Sequence, residues 1–459
     1  MAPNLRAESG QCVRAPLVSR RGSFWRASAH TFGISVASVV VGLLTTIILA
    51  RAVGPDGKGR FDLVMATSGL FGVALGFALP AGATYAIARG FSTPGSLLRL
   101  LMLIALAQGI GAAIAVAVAR LTSVGPALIA PDLASSAPIA VGCLVAATAA
   151  GLYAKAVLLG RERIVDANWR DLFGRLATAL LLGIAAFAVS RSTSHADAAL
   201  VLIWAAVLGA VVTLCSFVQG AWSELHSRGP TGMPSVVSFA APSALANLVQ
   251  FLNYRMDLFL VAFFLGPTEV GLYALAGSIA QLIWLVSQSG ATALLPNVAA
   301  SREEMRDVAT HSALVARVAF TVSLAAAIGM ALVAGVLVPF IYGDRFAGSV
   351  PAILWLLPGV VVFAPVNIIG AFMAGIGRPR LNLIVSTVSF VATLVLDLIL
   401  IPRAGIIGAA IASSASYSTA AVMMFGLFTR ITGLSPIRLV AFGPADARNV
   451  AALLRDRGR

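Results

Sequence analysis

Long apolar segments recur along nearly the whole chain and are separated by short polar connections. Each has about the 20 residues or more that a helix needs to cross the ~30 Å hydrocarbon layer of a bilayer. None shows the alternation of polar and apolar positions that is typical of a membrane β-barrel strand. The pattern therefore predicts an all-α polytopic membrane protein with about 12 transmembrane helices. They lie near 31–52, 61–88, 97–120, 136–159, 169–190, 197–219, 237–265, 270–299, 309–341, 350–376, 381–401 and 405–430.

The composition agrees with this pattern. Hydrophobic residues make up 59% of the 459 residues and charged residues only 11%, against roughly a quarter charged in a soluble domain. Backbone groups in lipid must form their hydrogen bonds within their own segment, which a helix achieves. The chain is therefore expected to have lipid as its main solvent.

A net charge of +14 could indicate a protein that binds nucleic acid, but the placement of the basic residues favours a membrane protein. With the tail before Arg26 in the cytoplasm, the seven cytoplasmic segments hold 24 of the 32 Lys and Arg residues, the outer loops hold 7, and Arg255 lies within a helix. This positive-inside distribution predicts cytoplasmic termini in a bacterial inner membrane. No connection is long enough for a soluble nucleic-acid-binding domain, so we expect no nucleic-acid partner.

Targeting and metal signals are few. Residues 1–30 carry arginines but no apolar core, so the helix from Thr31 is expected to act as an uncleaved signal anchor. The three cysteines, Cys12, Cys143 and Cys215, are far apart and predict neither a disulfide nor a metal site. The four histidines form no cluster with metal-ligand spacing, and no cofactor is predicted.

Two pairs of segments reveal an internal duplication. The segment AVGPDGKGRFDL (52–63) aligns with FLGPTEVGLYAL (264–275) at an offset of 212 residues, and LLGRER (158–163) aligns with GIGRPR (375–380) at an offset of 217. Either match alone is compatible with an ordinary turn between helices. Both at nearly one spacing indicate duplication. The first match shares Gly54 with Gly266, Pro55 with Pro267, Gly59 with Gly271, and Leu63 with Leu275.

The duplication predicts how the chain is divided. Six spans per half is an even number, so both halves start on the same side of the membrane and are parallel repeats, an architecture known for secondary transporters. The substrate of such a protein lies in the crevice between the halves. The predicted parts are a basic cytoplasmic tail (1–30), an N-terminal six-helix lobe (31–220), a cytoplasmic linker (221–236), a C-terminal six-helix lobe (237–430) and a cytoplasmic tail (431–459).

Enzyme signals are sparse. The run GPDGKG (54–59) lacks the spacing of a phosphate-binding loop, and the predicted topology places it outside the cell. The longest outer connection, 121–136, is short and carries Asp132 as its charge. We therefore predict that the protein is not an enzyme.

Polar residues inside the spans are better candidates, because a charge within the membrane costs several kcal/mol unless it faces a cavity or a partner. The seventh span carries a polar stripe within an arc of ~120° on a helical projection. The stripe is expected to face the crevice and consists of Asn247, Gln250, Asn253, Tyr254 and Asp257. Arg255 points roughly 140° or more away from Asp257. It needs a ligand in the crevice or a carboxylate on another span, such as Asp397, and the sequence leaves both open.

Two groups of basic residues lie near the span ends. Arg51, Lys58 and Arg60 follow the first span, where they either guide a phosphate-bearing substrate or form an ordinary solvated loop. A second group, around the fourth and fifth spans, is interpreted as a topology determinant that is also suited to anionic lipid head groups. This second group consists of Lys155, Arg161, Arg163, Arg170 and Arg175.

Four runs carry a resemblance that covers residues 31–430. They are ILARAVGPDGKGRFDL (48–63), YRMDLFLVAFFLGPTEVGLYALA (254–276), GIGRPRLNL (375–383) and LILIPRAGIIGAAIASSASY (398–417). The chain resembles the polysaccharide transporter family, the lipid-linked oligosaccharide or O-antigen-type flippases of the MATE-like multidrug/oligosaccharidyl-lipid/polysaccharide exporter superfamily.

The resemblance implies a V-shaped, two-lobed transporter that moves an isoprenoid-pyrophosphate-linked sugar to the outer leaflet by alternating access. It implies coupling to a sodium or proton gradient or to the membrane potential, and work alongside glycan polymerase or glycosyltransferase machinery. Arg255 and Asp257 match the family's Arg-x-Asp run, whereas Asp397 stands where the family often has an uncharged polar residue. Arg255 and Arg51 are expected to offset the pyrophosphate charge, and the stripe to bind sugar hydroxyls.

Other functions compete with this one. A cation-coupled exporter of small molecules or drugs has the same fold, but it would favour acidic and aromatic residues in its cavity, and the spans hold few carboxylates. A lipid II flippase usually has two further spans. A glycan polymerase would need a large outer loop, and a non-transporting scaffold in the cell envelope would not need Arg255.

Overall fold

The computed structural model describes residues 20–190, 194–301, 304–441 and 443. These residues form α-helices and short 3-10 turns, and none of them forms a β-strand. Ten of the described helices are long and apolar enough to cross a bilayer, so the predicted all-α polytopic architecture is confirmed. The helices are α1 (Arg20–Gly76), α2 (Leu79–Ala88), α3 (Pro94–Ala119), α4 (Gly125–Leu128), α5 (Ala137–Gly160), α6 (Ile164–Val189), α7 (His195–Gly220), α8 (Trp222–Leu225), α9 (Met233–Phe264), α10 (Pro267–Ala300), α11 (Met305–Tyr342), α12 (Ser349–Gly375) and α13 (Pro379–Thr432).

Two of these ten helices each consist of two helical segments joined at a glycine. The 54-residue α13 is interrupted at Gly405, whose φ of 61° and ψ of −142° are accessible to glycine at little steric cost. The chain folds back there, because Ser389 Oγ lies 2.8 Å from Ser416 Oγ on the other side of the turn. The 57-residue α1 has a matching interruption at Gly54. Ten apolar helices, two of them divided, give twelve spanning segments, which is the predicted number.

The aligned segments of the two halves adopt the same turn. Gly54 has φ 66° and ψ −174°, and Gly266 has φ 95° and ψ −176°. In both copies a proline, Pro55 or Pro267, starts the helix that follows, where its fixed φ suits the first helical position and its missing N–H costs nothing. We call the end of the bundle at Gly54 and Gly266 the glycine-turn end.

The second span was predicted as one continuous helix over 61–88, but the structure divides it into two helices. It is broken between Gly76 and Leu79, where Phe77 and Ala78 have φ of 46° and 51°. Such left-handed values are unusual for residues other than glycine. The break frees the carbonyl of Leu75, which accepts a 2.8 Å hydrogen bond from Gln108 Nε2 on α3. The buried amide of Gln108 is 2.8 Å from the hydroxyl of Tyr153, which fixes it in place.

Buried apolar side chains form three clusters. Two lie mainly among α1 to α7 of the first half, and the largest lies among α9 to α13 of the second half. This largest cluster also contains Ala50, Leu63 and Ala66 of α1, so α1 packs against both halves. The lobe boundaries at residues 220 and 237 stay a prediction.

Candidate functional site

Asp257 is buried in the second half and is held by three helices. The backbone N–H of Leu258 donates to its Oδ1 at 2.8 Å, and Ser413 Oγ on α13 donates to its Oδ2 at 3.2 Å. The hydroxyl of Tyr273 on α10 also donates to Oδ2. Because hydrogen bonds to a carboxylate favour its charged form, this environment partly compensates for the loss of water.

Asp397 on α13 is the second buried carboxylate of this region. Its side chain is 0% exposed, and neither Oδ1 nor Oδ2 has a hydrogen-bond partner among the described residues. It is close enough to Asp257 for the two carboxylates to interact electrostatically. An unpartnered carboxylate beside a second one in an apolar interior is costly as a charged pair, so the site is suited to a cation or a proton.

Arg255 lies on the wall of a small, partly open cavity. Its guanidinium is half-buried and forms no hydrogen bond or salt bridge with any residue that the structure describes. The pairing with Asp397, one of the two possibilities left open by the sequence, is not formed, since both oxygens of Asp397 lack partners. The N–H groups of Arg255 are therefore free to bind an anionic ligand, while its charge also acts on the nearby carboxylate of Asp257. The polar and aromatic lining includes Tyr254, Asp257, Tyr273, Gln281, Trp284 and Tyr417.

The predicted polar stripe is only partly in this cavity. Tyr254 and Asp257 line it, together with Arg255. Gln250 lies one turn before Tyr254 on α9, where its Oε1 accepts a 3.2 Å hydrogen bond from Ser386. Asn253 is 4% exposed and its Oδ1 has no partner among the described residues, whereas Asn247 is exposed.

The cavity wall opposite α9 was not predicted. Trp284 donates from Nε1 to the carbonyl of Val360 at 3.1 Å and packs against Tyr254, with 5.6 Å between ring centroids. Tyr417 packs against Trp284 at 5.2 Å. Tyr273 is an isolated polar position in an apolar helix, whereas Ser413 and Tyr417 lie in the polar run SSASYST (413–419), which was not predicted to belong to the site. Tyr273 and Tyr417 lie in segments quoted for the family resemblance, and Tyr273 also lies in the duplicated segment, but neither signal singled them out as site residues.

Arg51 lies at the glycine-turn end instead of in the Arg255 cavity. Its Nε donates to the carbonyl of Ile341 at 2.7 Å, and its guanidinium also binds the carbonyl of Phe340. These carbonyls belong to the last turn of α11, where they have no partner within the helix and carry partial negative charge. A substrate-binding role for Arg51 stays a prediction, and its contacts in the structure are those of a helix cap.

The other basic residues of this segment are neutralised. Lys58 pairs with Asp62, and Arg60 pairs with both Asp56 and Asp132. The hydrogen bonds and positive charge of Arg60 lower the pKa of Asp132 below its ordinary value. Lys58 and Arg60 are therefore held in largely buried ion pairs and do not form an open cationic mouth.

The basic group near the fourth and fifth spans is paired in the same way. Asp166 and Asp171 each lie between two cations, and Arg161 binds Glu224 at 3.1 Å. Such exposed pairs contribute little to stability, typically 0–1 kcal/mol each. Their placement suits topology and lipid head groups.

Known proteins match both the sequence and this arrangement of helices. Residues 172–351 match a family model described as "Polysaccharide biosynthesis protein". The chain is 24% identical over 225 residues to the probable low-salt glycan biosynthesis flippase Agl15 of Haloferax volcanii, in an alignment that covers 48% of each protein. The chain thus spans about half the length of that curated relative.

Solved structures extend the likeness to nearly the whole chain. The lipid II flippase MurJ in an inward closed conformation gives a TM-score of 0.69 at 15% identity and covers 89% of both chains. A multidrug resistance MATE family transporter in an inward-facing conformation gives 0.63 at 17% identity, covering 86% of this chain and 94% of the other. Identities this low show the fold, which is that of the MATE-like transporters. Together with the family match, they confirm the predicted resemblance to the polysaccharide and lipid-linked flippases of this superfamily.

Proposed function

We propose that this protein is a secondary transporter that flips an isoprenoid-pyrophosphate-linked oligosaccharide across the bacterial inner membrane for export of a surface polysaccharide. The observation that carries the proposal is the unpaired Arg255 on the wall of a polar, aromatic cavity within a flippase-like fold. The names of the matching flippases and of the family model support it.

The chemistry of the cavity suits such a substrate. The pyrophosphate is the most costly part of the lipid to bring to the middle of the membrane, and a guanidinium binds phosphate oxygens through charge-assisted hydrogen bonds. Tyr254 and Gln281 beside Arg255 offer an aromatic ring and an amide for sugar groups. The isoprenoid tail stays in the bilayer, where it loses no hydrophobic contact.

The two buried carboxylates provide a means of coupling to an ion gradient. We propose that Asp257 and Asp397 bind a sodium ion or a proton, because both oxygens of Asp397 are buried without a partner. Asp257 lies two residues from Arg255, so a positive charge at the carboxylates changes the potential at the phosphate site. Coupling of this kind is reciprocal, and substrate binding changes cation affinity by the same factor.

The charge distribution supports an orientation. We propose that both termini are cytoplasmic, which places the glycine-turn end outside. The arginine-rich segments then lie on the cytoplasmic side, where basic residues are favoured. Lipid-linked sugar would then be received from glycosyltransferases at the inner leaflet and delivered to a polymerase at the outer leaflet.

The direct test of transport uses proteoliposomes that contain a fluorescent polyprenyl-pyrophosphate oligosaccharide, with a membrane-impermeant glycosidase added outside. Wild-type protein should expose the sugar to cleavage. Arg255→Ala should lose most of that activity at equal reconstitution, whereas Arg403→Ala, an exposed arginine in an outer turn, should retain it. Equal rates of sugar cleavage with the two variants would show that transport does not need Arg255.

A cation-coupled exporter of small molecules is the second candidate, and one observation favours it. The cavity and its surroundings contain two carboxylates and several aromatic rings, the groups that bind organic cations. Efflux of lipophilic cationic dyes by the same proteoliposomes, together with no cleavage of the lipid-linked sugar, would select this function over flipping.

A further inference from the structure

The first half contains a cavity that shares no lining residue with the Arg255 cavity. We call it the Arg175 cavity. It lies among α1, α6 and α7 and has a volume of about 360 Å³, and sites for small molecules have volumes of roughly 300–1,000 Å³. Its polar lining consists of Ser38, Thr45, Asp171, Arg175, Thr178 and Thr213.

The charged residues of this cavity lie well inside a membrane-spanning helix. Arg175 is the twelfth of the 26 residues of α6, so at 1.5 Å per residue it lies roughly 17 Å from the start of the helix. Asp171 lies one turn before Arg175, whereas Arg161 and Arg163 of the same basic group precede α6. An ionisable residue at such a depth is a candidate for ligand binding, because lipid does not solvate its charge.

The charged side of α6 faces away from lipid. Exposed apolar side chains of this helix fall within an arc of about 80° on a helical projection, which marks its lipid-facing side. Asp171 and Arg175 point roughly 140–180° away from the centre of that arc. Their charges therefore face the interior of the bundle. The exposed apolar residues are Phe173, Leu176, Leu180, Ile184 and Phe187.

Three charges meet at the cavity, and their sum is positive. Asp171 Oδ1 is 3.4 Å from Lys155 Nζ on α5, and Asp171 Oδ2 is 3.1 Å from Arg175 Nε. Because two cations share one carboxylate, the cluster keeps a net charge of +1. The Nη groups of Arg175 have no hydrogen-bond partner among the described residues, and its side chain is 55% exposed. The guanidinium can therefore bind an anion without losing an existing contact.

The threonines of the lining offer hydrogen-bond acceptors. Thr45, Thr178 and Thr213 each donate their hydroxyl proton to the carbonyl four residues earlier, at 2.8 Å. A hydroxyl has one proton and two lone pairs, so these three oxygens can accept hydrogen bonds from a ligand but have no proton left to donate. Gly174 packs so closely on Thr213 that a Cβ on the glycine would lie 2.4 Å from Thr213 Oγ1. The close contact of α6 and α7 thus holds this part of the lining in place.

The charge and the acceptors together select the chemistry of the ligand. A phosphodiester accepts hydrogen bonds, which suits Arg175 but leaves the threonine oxygens without donors. A neutral sugar supplies hydroxyl donors to the threonines but no charge to Arg175. An acidic sugar supplies both, since its carboxylate forms charge-assisted hydrogen bonds with a guanidinium and its hydroxyls donate to the threonine oxygens.

We propose that the Arg175 cavity binds an acidic sugar of the transported oligosaccharide, with Arg175 on the sugar carboxylate and the three threonines on its hydroxyls. Lys155 is a positioning residue, because it neutralises Asp171 and so keeps the charge of Arg175 for the ligand. The proposal rests on the proposed function for the lipid that carries the sugar. It assigns the glycan to the class that contains uronic acids or other sugar acids.

The first test measures binding by the purified full-length protein. A glucuronic acid disaccharide, its carboxyl-reduced neutral form and inorganic phosphate are titrated separately, with ligand-observed NMR as the readout. Wild-type protein should bind the acidic disaccharide about tenfold or more tightly than the neutral form. Arg175→Gln should abolish this preference, whereas Arg403→Gln, an exposed arginine of α13, should keep it.

Three results of this titration would overturn the proposal. They are equal binding of the acidic and neutral disaccharides by the wild type, an unchanged preference in Arg175→Gln, and tighter binding of phosphate than of the acidic disaccharide at Arg175. The last of these would identify a phosphate site in place of a sugar site.

Charge variants test the role of Lys155. Lys155→Met leaves Asp171 to neutralise Arg175 and should weaken binding of the acidic disaccharide by about tenfold. Adding Asp171→Asn to Lys155→Met removes both charges beside Arg175 and should restore the affinity to within about twofold of wild type. A purely structural role for Lys155 predicts no recovery, because the double variant has lost both ion pairs. An affinity that stays low in the double variant would therefore contradict the charge argument.

Transport of a matched pair of substrates separates this proposal from the proposed function. The proteoliposome assay is run with a lipid-linked oligosaccharide that contains a uronic acid, and with the same compound after carboxyl reduction. Wild type should flip the acidic form about tenfold faster, and Arg175→Gln should lower its rate to that of the reduced form. Equal rates in the wild type would overturn the acidic-sugar site and leave the proposed function standing. Flipping of neither form would contradict the proposed function, while an Arg175-dependent preference for the acidic disaccharide would still support the binding site.

Discussion

Thr268 donates a hydrogen bond to Asp56, a residue that lies 212 positions earlier in the chain. The same offset relates Gly54 to Gly266 and Gly59 to Gly271, so the two partners are equivalent positions in the two halves. The segment that reveals the duplication in the sequence is therefore also a place where its two copies meet. A contact of this form is the intramolecular equivalent of an isologous interface, in which the same patch is used on both sides.

The first prediction is that Arg255 binds the substrate and that Arg51 does not. Arg255→Ala should weaken binding of a soluble pyrophosphate-sugar analogue by about 10- to 100-fold, the loss expected for hydrogen bonds to a charged group. Arg51→Ala should leave that affinity within about twofold of wild type, because Arg51 binds carbonyls of α11 and not the cavity. Titration calorimetry in detergent measures the affinity of both variants. Similar losses of affinity would indicate that Arg51 also binds the substrate.

The second prediction concerns cation binding. Sodium should raise the melting temperature of the wild-type protein, because a ligand that binds the folded state stabilises it, by about 2.7 kcal/mol at 100 times its dissociation constant. Asp397→Asn should abolish the sodium effect. It should not destabilise the apo protein, since the amide has nearly the shape of the carboxyl group, whose two oxygens have no hydrogen-bond partner to lose.

Thermal unfolding in sodium and in choline chloride measures this effect, with Asp344→Asn outside the cavity as the control. A wild-type protein that responds to pH but not to sodium would identify the proton as the coupling ion. An equal sodium response in Asp397→Asn would exclude this carboxylate from the site.

The third prediction concerns Arg60 and Asp132 at the glycine-turn end. The pKa of Asp132 is lower in the folded state, so the pair contributes stability above the ordinary carboxyl value of 3.8 and loses it as pH falls through the lowered pKa. Asp132 is 49% exposed, which limits the contribution to less than about 1 kcal/mol.

The difference in unfolding free energy between wild type and Asp132→Asn should therefore be small at pH 7 and should shrink as pH falls below 3.8 and through the lowered pKa of Asp132. A difference that grows toward low pH would have the wrong sign and would rule out this explanation.

The fourth prediction concerns the break in the second span. Gln108→Leu leaves the carbonyl of Leu75 without its partner inside the membrane and should destabilise the protein by about 1–3 kcal/mol. Tyr153→Phe keeps that hydrogen bond and removes only the contact between Gln108 and the hydroxyl, so it should cost less. Thermal unfolding measures the loss of stability in each variant. A larger loss of stability in Tyr153→Phe than in Gln108→Leu would contradict this account.

Much of the fold could be predicted because its signals are local. Span lengths follow from runs of apolar residues, and the reversals at Gly54 and Gly266 follow from a Gly-Pro pair that can end one helix and start the next. The break at Phe77 and Ala78 was missed because the apolar run continues through it, although Gly76 and Pro80 flank it. Its left-handed residues depend on a hydrogen bond from another helix, which periodicity does not show.

The candidate site was predicted in part for the same reason. Arg255 and Asp257 belong to one helix, so their spacing along α9 places them together. Asp397 lies 140 residues from Asp257, and only the packing of α13 against α9 brings the two carboxylates together. Arg51 resembles a substrate-binding arginine in sequence because nothing local indicates that its side chain reaches α11, 290 positions away.

A Cβ atom on Gly59 would lie 1.7 Å from the carbonyl oxygen of Pro267, and one on Gly271 would lie 2.0 Å from that of Pro55, so neither position admits a side chain without movement of the backbone. This reciprocal contact has a consequence for the origin of the molecule. Each half carries one complete copy of a self-complementary surface, and both halves are predicted to stand the same way up in the membrane. A twofold contact between two separate chains, each the length of one half, requires a self-complementary surface of this kind. The present protein has the arrangement that fusion of such a homodimer into one chain would produce.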